Sequence, residues 1–76
     1  MPNKYYVGSY FTVKLKDNYY IRVAALNHRG LKKYNASYYV DKLHKVGSNK
    51  IIKSKREIKD KIQKAGLDSN LFYVGW

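Results

Sequence analysis

Two stretches of alternating polarity, Tyr10–Leu15 and Tyr19–Leu26, separated by Lys16-Asp17-Asn18, constrain this chain more than any other feature. A period of two suits a half-buried strand and no helix, and Tyr, Phe, Thr, Val and Ile are strand-favouring residues. Two such runs around a short polar turn predict an antiparallel hairpin. Its register follows from the side chains. A two-residue loop would set Leu15 against Tyr20 and Val13 against Arg22, mixing apolar and charged positions on one face. A three-residue loop, Lys16-Asp17-Asn18, pairs Leu15 with Tyr19, Val13 with Ile21 and Phe11 with Val23, and places Asn18 where a left-handed backbone is wanted. One face is then apolar, and the other carries Tyr10, Thr12, Lys14, Tyr20, Arg22 and Ala24.

A helix is predicted from about Lys55 to Ala65. Ser54 and Glu57 have capping-box spacing, Gly66 supplies the stop, and Ile58, Ile62 and Ala65 recur at i, i+4 and i+7. Its charges have i,i+4 partners available in Arg56 with Asp60, Glu57 with Lys61 and Asp60 with Lys64, which predicts a self-compensated, solvated face. Residues 36–46 fit a second helix with Ala36, Val40, Leu43 and His44 inward and Gly47 as its stop, although Tyr38-Tyr39-Val40 is also good strand sequence. Ile51-Ile52 reads as a short strand. So does Leu71 to Trp76, with Phe72, Val74 and Trp76 on one side. The sum is one small α+β domain over 1–76. A hairpin is extended to a sheet of three or four strands and packed against the C-terminal helix, with a second helix as an option.

Seventy-six residues bury only about 60–65% of their unfolded surface, and with no cysteine there is neither a disulfide nor a thiolate metal site to add support. The start has no apolar leader, and the longest aliphatic run, Val23 to Leu26, is far too short to span a bilayer. A soluble, cytoplasmic protein with no membrane partner is expected.

The net charge of +11 comes from 16 Lys and Arg against 5 Asp and Glu. Such an excess repels itself in a compact fold and points to a polyanionic partner, with a phosphate backbone the first choice. AT-rich codons would raise Lys and Tyr together, but they do little to favour Lys over Glu, so the sign of the charge keeps its meaning. The excess is concentrated. Residues 1–26 carry +3, residues 27–53 carry +6 and residues 54–76 carry +2. In the middle third Arg29, Lys32, Lys33, Lys42, Lys45, Lys50 and Lys53 surround Tyr34 and Tyr38. Cations that track phosphates and rings that stack on bases are what single-stranded or looped nucleic acid needs. Lys14, Tyr20 and Arg22 on the polar face of the hairpin complete the expected binding set. For any one of these residues, an ordinary solvated side chain is the competing reading.

Catalysis has little support. His28 falls in a turn and His44 on the inner side of the second predicted helix. No Ser-His-Asp arrangement, phosphate-cradling glycine motif, carboxylate cluster or set of zinc ligands occurs, so no cofactor or metal is expected. The helix ending Ile62-Gln63-Lys64-Ala65-Gly66-Leu67 resembles the last helix of HicA-type RNA-cleaving toxins, over about fifteen residues. Their glycine-histidine activity motif is absent here, and no residue roles carry over. Three functions remain open. The first is a non-enzymatic DNA- or RNA-binding protein. The second is a small phage or mobile-element inhibitor that docks on a protein or nucleoprotein, since Tyr and Arg also anchor protein interfaces. The third is a small RNase toxin.

Overall fold

The computed structural model describes residues 4–75. The elements run β1 (Val7–Lys14), β2 (Tyr19–Leu26), α1 (His28–Tyr34), β3 (Tyr38–Lys45), β4 (Ile51–Ile52), α2 (Lys55–Lys64), a 3₁₀ turn (Ser69–Leu71) and β5 (Phe72–Tyr73). The sheet order is β1-β2-β3-β4, antiparallel throughout, and β5 joins the remaining length of β3 in parallel. The fold is α+β.

The hairpin has the expected register, with Val13 opposite Ile21 and Phe11 opposite Val23. Its turn is tighter than a plain three-residue loop. Asp17 and Asn18 both have positive φ, 59° and 64°, as a type I′ turn requires, and the Tyr19 N–H donates to Lys16 O at 3.2 Å. The Leu15 N–H donates to Tyr19 O at 2.8 Å. Leu15 and Lys16 therefore both oppose Tyr19, and this bulge supplies the one-residue offset that the polarity pattern demands.

Residues 36–46 do not form a helix; Tyr38–Lys45 is the third strand. Val40 and Leu43 are fully buried, as a helical i,i+3 pattern requires, yet they reach the same side of a strand because a bulge intervenes. Val23 pairs with Val40 and Arg22 with Lys42, so Asp41 is the extra residue and the inward spacing lengthens from two to three. The cluster beneath joins Leu15, Ile21, Val23, Val40, Leu43, Phe72 and Val74 to Ile58 and Ile62 of α2. Ile58 and Ile62 have no exposed surface, and burying each contributes about 1.5–3 kcal/mol. Phe72 and Val74 share this side as expected; Trp76 lies outside the described residues. Ser54 caps α2 by accepting the Glu57 N–H at 3.3 Å. At the other end the Gly66 N–H donates to Gln63 O and the Leu67 N–H to Ile62 O, a Schellman closure around Gly66 at φ 82°.

The segment after β2, to which the sequence assigned no element beyond a turn at His28, forms the helix α1. Asn27 caps it by accepting the Gly30 N–H at 2.9 Å, and Asn35, at φ 52°, closes it by donating its N–H to Leu31 O. α1 is anchored to the N-terminal segment, because the Asn27 N–H donates to Tyr6 O at 3.0 Å and its side-chain amide to Tyr5 O at 2.6 Å. Gly30 sits at the contact. A Cβ there would press into the Tyr6 carbonyl and lie 2.8 Å from Leu26 Cδ2. Helix propensity alone makes Gly30→Ala stabilising by about 1 kcal/mol. The packing reverses that sign. Gly30→Ala is expected to lower stability by about 2 kcal/mol, a melting-temperature drop of about 10 °C for a domain of this size. Thermal unfolding followed by circular dichroism measures it.

Candidate nucleic-acid interface

α2 covers one side of the sheet. On the other side a second cluster forms at the α1 end, from Val7, Ala24, Leu26 and Ala36 with Tyr6, Tyr10, Tyr34, Tyr39 and Tyr73 against them. Strand alternation sends the two members of each strand doublet to opposite sides. Tyr19 and Tyr38 pack on the α2 side, whereas Tyr39 joins the second cluster and Tyr20 faces the same way.

The strand register arranges this open side in three cross-strand rows. Tyr10, Ala24, Tyr39 and Tyr73 make the first, Thr12, Arg22 and Lys42 the second, and Lys14, Tyr20, His44 and Ile51 the third. At about 4.8 Å per strand a four-strand row spans roughly 14 Å. The second row is the charged one. Arg22 is held in place: its guanidinium lies 5.1 Å from the Tyr10 ring centre, and Nε is 3.6 Å from Asp41 Oδ2. The bulge thus has two effects, bringing Lys42 beside Arg22 and placing a carboxylate that steadies Arg22 while its side chain stays 46% exposed. In the third row Tyr20 and His44 stack at 5.7 Å with their planes 14° apart. Tyr10 Oη and His44 Nδ1 are buried with no hydrogen-bond partner among the described residues.

Burial pushes the Tyr10 phenol above its ordinary range, helped by the Asp41 carboxylate and opposed by Arg22. The Tyr39 phenol is raised by burial first, and then by Tyr34, Tyr73, Tyr10 and Asp41. Both therefore stay neutral at physiological pH and leave the positive potential of the face undiminished.

α1 stands at the tyrosine end of this side. Tyr34 packs against Tyr73 at 4.6 Å and Tyr39 at 5.6 Å. Lys33 lies over the Tyr6 ring at 4.6 Å, and Arg29 over Tyr5 at 4.4 Å. Lys32 is exposed.

The expected binding set is therefore divided. Lys14, Tyr20, Arg22 and Lys42 share the open sheet face, and Arg29, Lys32, Lys33 and Tyr34 belong to the helix at its end. Tyr38 does not join them. As a strand residue it points to the α2 side, stacked on Phe72 at 5.1 Å and edge-on to Phe11 at 5.9 Å. Lys45 also departs, with its ammonium over Tyr19, which Lys61 approaches at 4.5 Å. Lys50 and Lys53 flank the two-residue β4 at the sheet margin. Tyr39 and His44 were missed as members of the open face. The doublet rule would have found Tyr39 had residues 38–45 been read as a strand. His44 is on β3 and not inside a helix, while His28 is the exposed first residue of α1.

α2 is less self-compensated than its spacing suggests. Lys64 pairs with Asp60 at 3.1 Å, but neither Arg56–Asp60 nor Glu57–Lys61 forms among the described residues. No described helix is long and apolar enough to cross a membrane. No protein-family model, curated protein or solved structure matches the chain, so function has to be argued from this geometry.

Proposed function

We propose that this protein is a non-enzymatic nucleic-acid-binding protein that holds phosphates across the open sheet face and α1. The observation that carries the reading is the convergence of Lys14, Arg22 and Lys42 around Tyr20 and His44, continued by Arg29, Lys32 and Lys33, with no acid in the rows and Asp41, the bulge residue, beside Arg22. Aromatic rings beside cations suit unstacked bases and their phosphates, which favours single-stranded or looped segments.

The test is an anisotropy titration with single-stranded DNA, duplex DNA and RNA at several salt concentrations, with incubated samples checked for cleavage. Four to six phosphate contacts are expected. They give a log–log salt slope of about −3 to −4 on single strands and about −4 to −5 on duplex. A flat dependence would sink the electrostatic reading, and cleavage would move it to the RNase class.

One observation favours the second reading, docking on a protein. Exposed Phe11, Leu67 and Leu71 rim an open groove of about 260 Å³ on the α2 side, floored by Val13, Tyr38 and Phe72. That groove lies across the sheet from the cationic rows, so the two readings separate by mutation.

A further inference from the structure

A second, smaller pocket opens where the C-cap of α1, the first two turns of α2, the 3₁₀ turn and β5 meet. Its volume is about 160 Å³ and its polar lining includes Lys55, Lys59, Asn35, Ser69, Asn70 and Tyr73. We propose that this pocket binds a phosphate group, and that its natural occupant is the terminal phosphate of a strand lying on the open face.

Four observations point there. Lys55 and Lys59 are one turn apart on α2, so their side chains project to the same side. Neither has a carboxylate partner among the described residues, although Lys59 is half-buried; the ion pairs are Arg22–Asp41 and Asp60–Lys64. No acid lines the pocket, and the nearby Asp68 instead lines the apolar groove and accepts the Asn70 N–H at 3.0 Å. Ser69 is buried, and its Oγ accepts from Gln63 Nε2 at 3.0 Å, which leaves its own O–H to donate. Two ammonium groups, a hydroxyl donor and two side-chain amides form a donor-rich site with no competing anion.

Size narrows the ligand. Pockets for whole small molecules run from about 300 Å³ upward, whereas this one has room for about five water-sized units. That accommodates a tetrahedral oxyanion with a water or two, and is too small to enclose a nucleoside. Position supplies the connection. Tyr34 and Tyr73 line the pocket and also belong to the tyrosine cluster of the open face, so a strand end reaches the pocket from that face over continuous surface.

The strand-end form of the inference rests on the nucleic-acid reading; the phosphate site itself does not. Two arms keep them apart. In the first, inorganic phosphate is titrated into ¹⁵N-labelled protein at constant ionic strength. Saturable shifts at the amides of Asn35, Ser69 and Asn70 are expected, with a dissociation constant of about 1 mM or below. In the second, one oligonucleotide is compared with 5′-phosphate, 3′-phosphate and hydroxyl ends. One phosphorylated end is expected to bind about tenfold more tightly than the hydroxyl form. The preference should disappear in Lys55→Gln with Lys59→Gln, which keeps the aliphatic stems. Lys61→Gln with Lys64→Gln, which removes the same charge away from the pocket, is expected to keep the preference and so controls for the extra charge of the phosphorylated end.

Phosphate shifts without end preference assign the pocket to free phosphate. Phosphate shifts with no oligonucleotide binding at all keep the pocket and reject the nucleic-acid reading. Absence of saturable shifts, or an end preference that survives in the Lys55/Lys59 variant, overturns the proposal.

Discussion

Ile21→Asp is expected to unfold the protein, whereas Arg22→Glu, one residue on, is expected to leave it folded and weaken nucleic-acid binding. Ile21 is fully buried between Val13 on β1 and Leu43 on β3, at the centre of the cluster under α2. A carboxylate there is surrounded by a cluster of apolar side chains, and its burial adds several kcal/mol to the loss of an isoleucine's packing, itself about 2–5 kcal/mol. At roughly 0.05–0.15 kcal/mol per residue, total stability is about 4–11 kcal/mol, so the substitution consumes most or all of it. Arg22 faces the other way, and reversing it removes one ion pair near the surface, a small loss for folding. Circular dichroism and thermal melting decide the first half and anisotropy the second. A folded Ile21→Asp, or an unfolded Arg22→Glu, would show that the faces of β2 are assigned the wrong way round. Thr12→Asp, opposite Arg22, should likewise fold and bind less tightly. Val13→Asp is expected to cost less than Ile21→Asp, because Val13 is only half-buried, on the floor of the open apolar groove.

The hairpin was legible from Tyr10 onward because its residues there obey one rule, the irregularity in pairing falling earlier, between Val7 and Tyr10. Alternation assigns the faces, and only one register keeps Val13, Ile21, Phe11 and Val23 together. α2 was legible for the same reason, with Ser54, Gly66 and the Ile58–Ile62 spacing all agreeing. β3 was obscured by its bulge. An extra Asp41 turns a period of two into the spacing of three between Val40 and Leu43, which is indistinguishable from one face of a helix. α1 was obscured because it has no apolar stripe: Gly30 is its buried residue and Leu31 is 45% exposed. Its signals were the two capping asparagines, Asn27 and Asn35. The site inherited both problems. Charge counting found the cations of residues 29–42 and the hairpin register put Lys14 with Arg22, but only the strand assignment separates Lys42 from Tyr38 and Lys45 and sets it beside Arg22.

Reversing Arg22 and Lys42 together is expected to weaken nucleic-acid binding by more than about tenfold at moderate salt, while reversing Lys61 and Lys64 weakens it far less. The two double variants are matched. Each changes the net charge by the same amount, each removes one cation held in an ion pair, Arg22 with Asp41 or Lys64 with Asp60, and each removes one cation without a carboxylate partner among the described residues. A long-range effect of total charge would act on both alike. Contact with phosphate would not, because Arg22 and Lys42 stand side by side on the open face and the α2 pair lies beyond the opposite side of the sheet. Lys32→Glu with Lys33→Glu then tests whether α1 extends the surface, and a loss of comparable size places its cations on the same ligand. Salt titrations of each folded variant sharpen the comparison, since a lost phosphate contact lowers the slope by about 1 and a lost long-range attraction does not. If the Lys61/Lys64 variant loses more, the phosphates are held on α2, and the open sheet face is left without the role assigned to it.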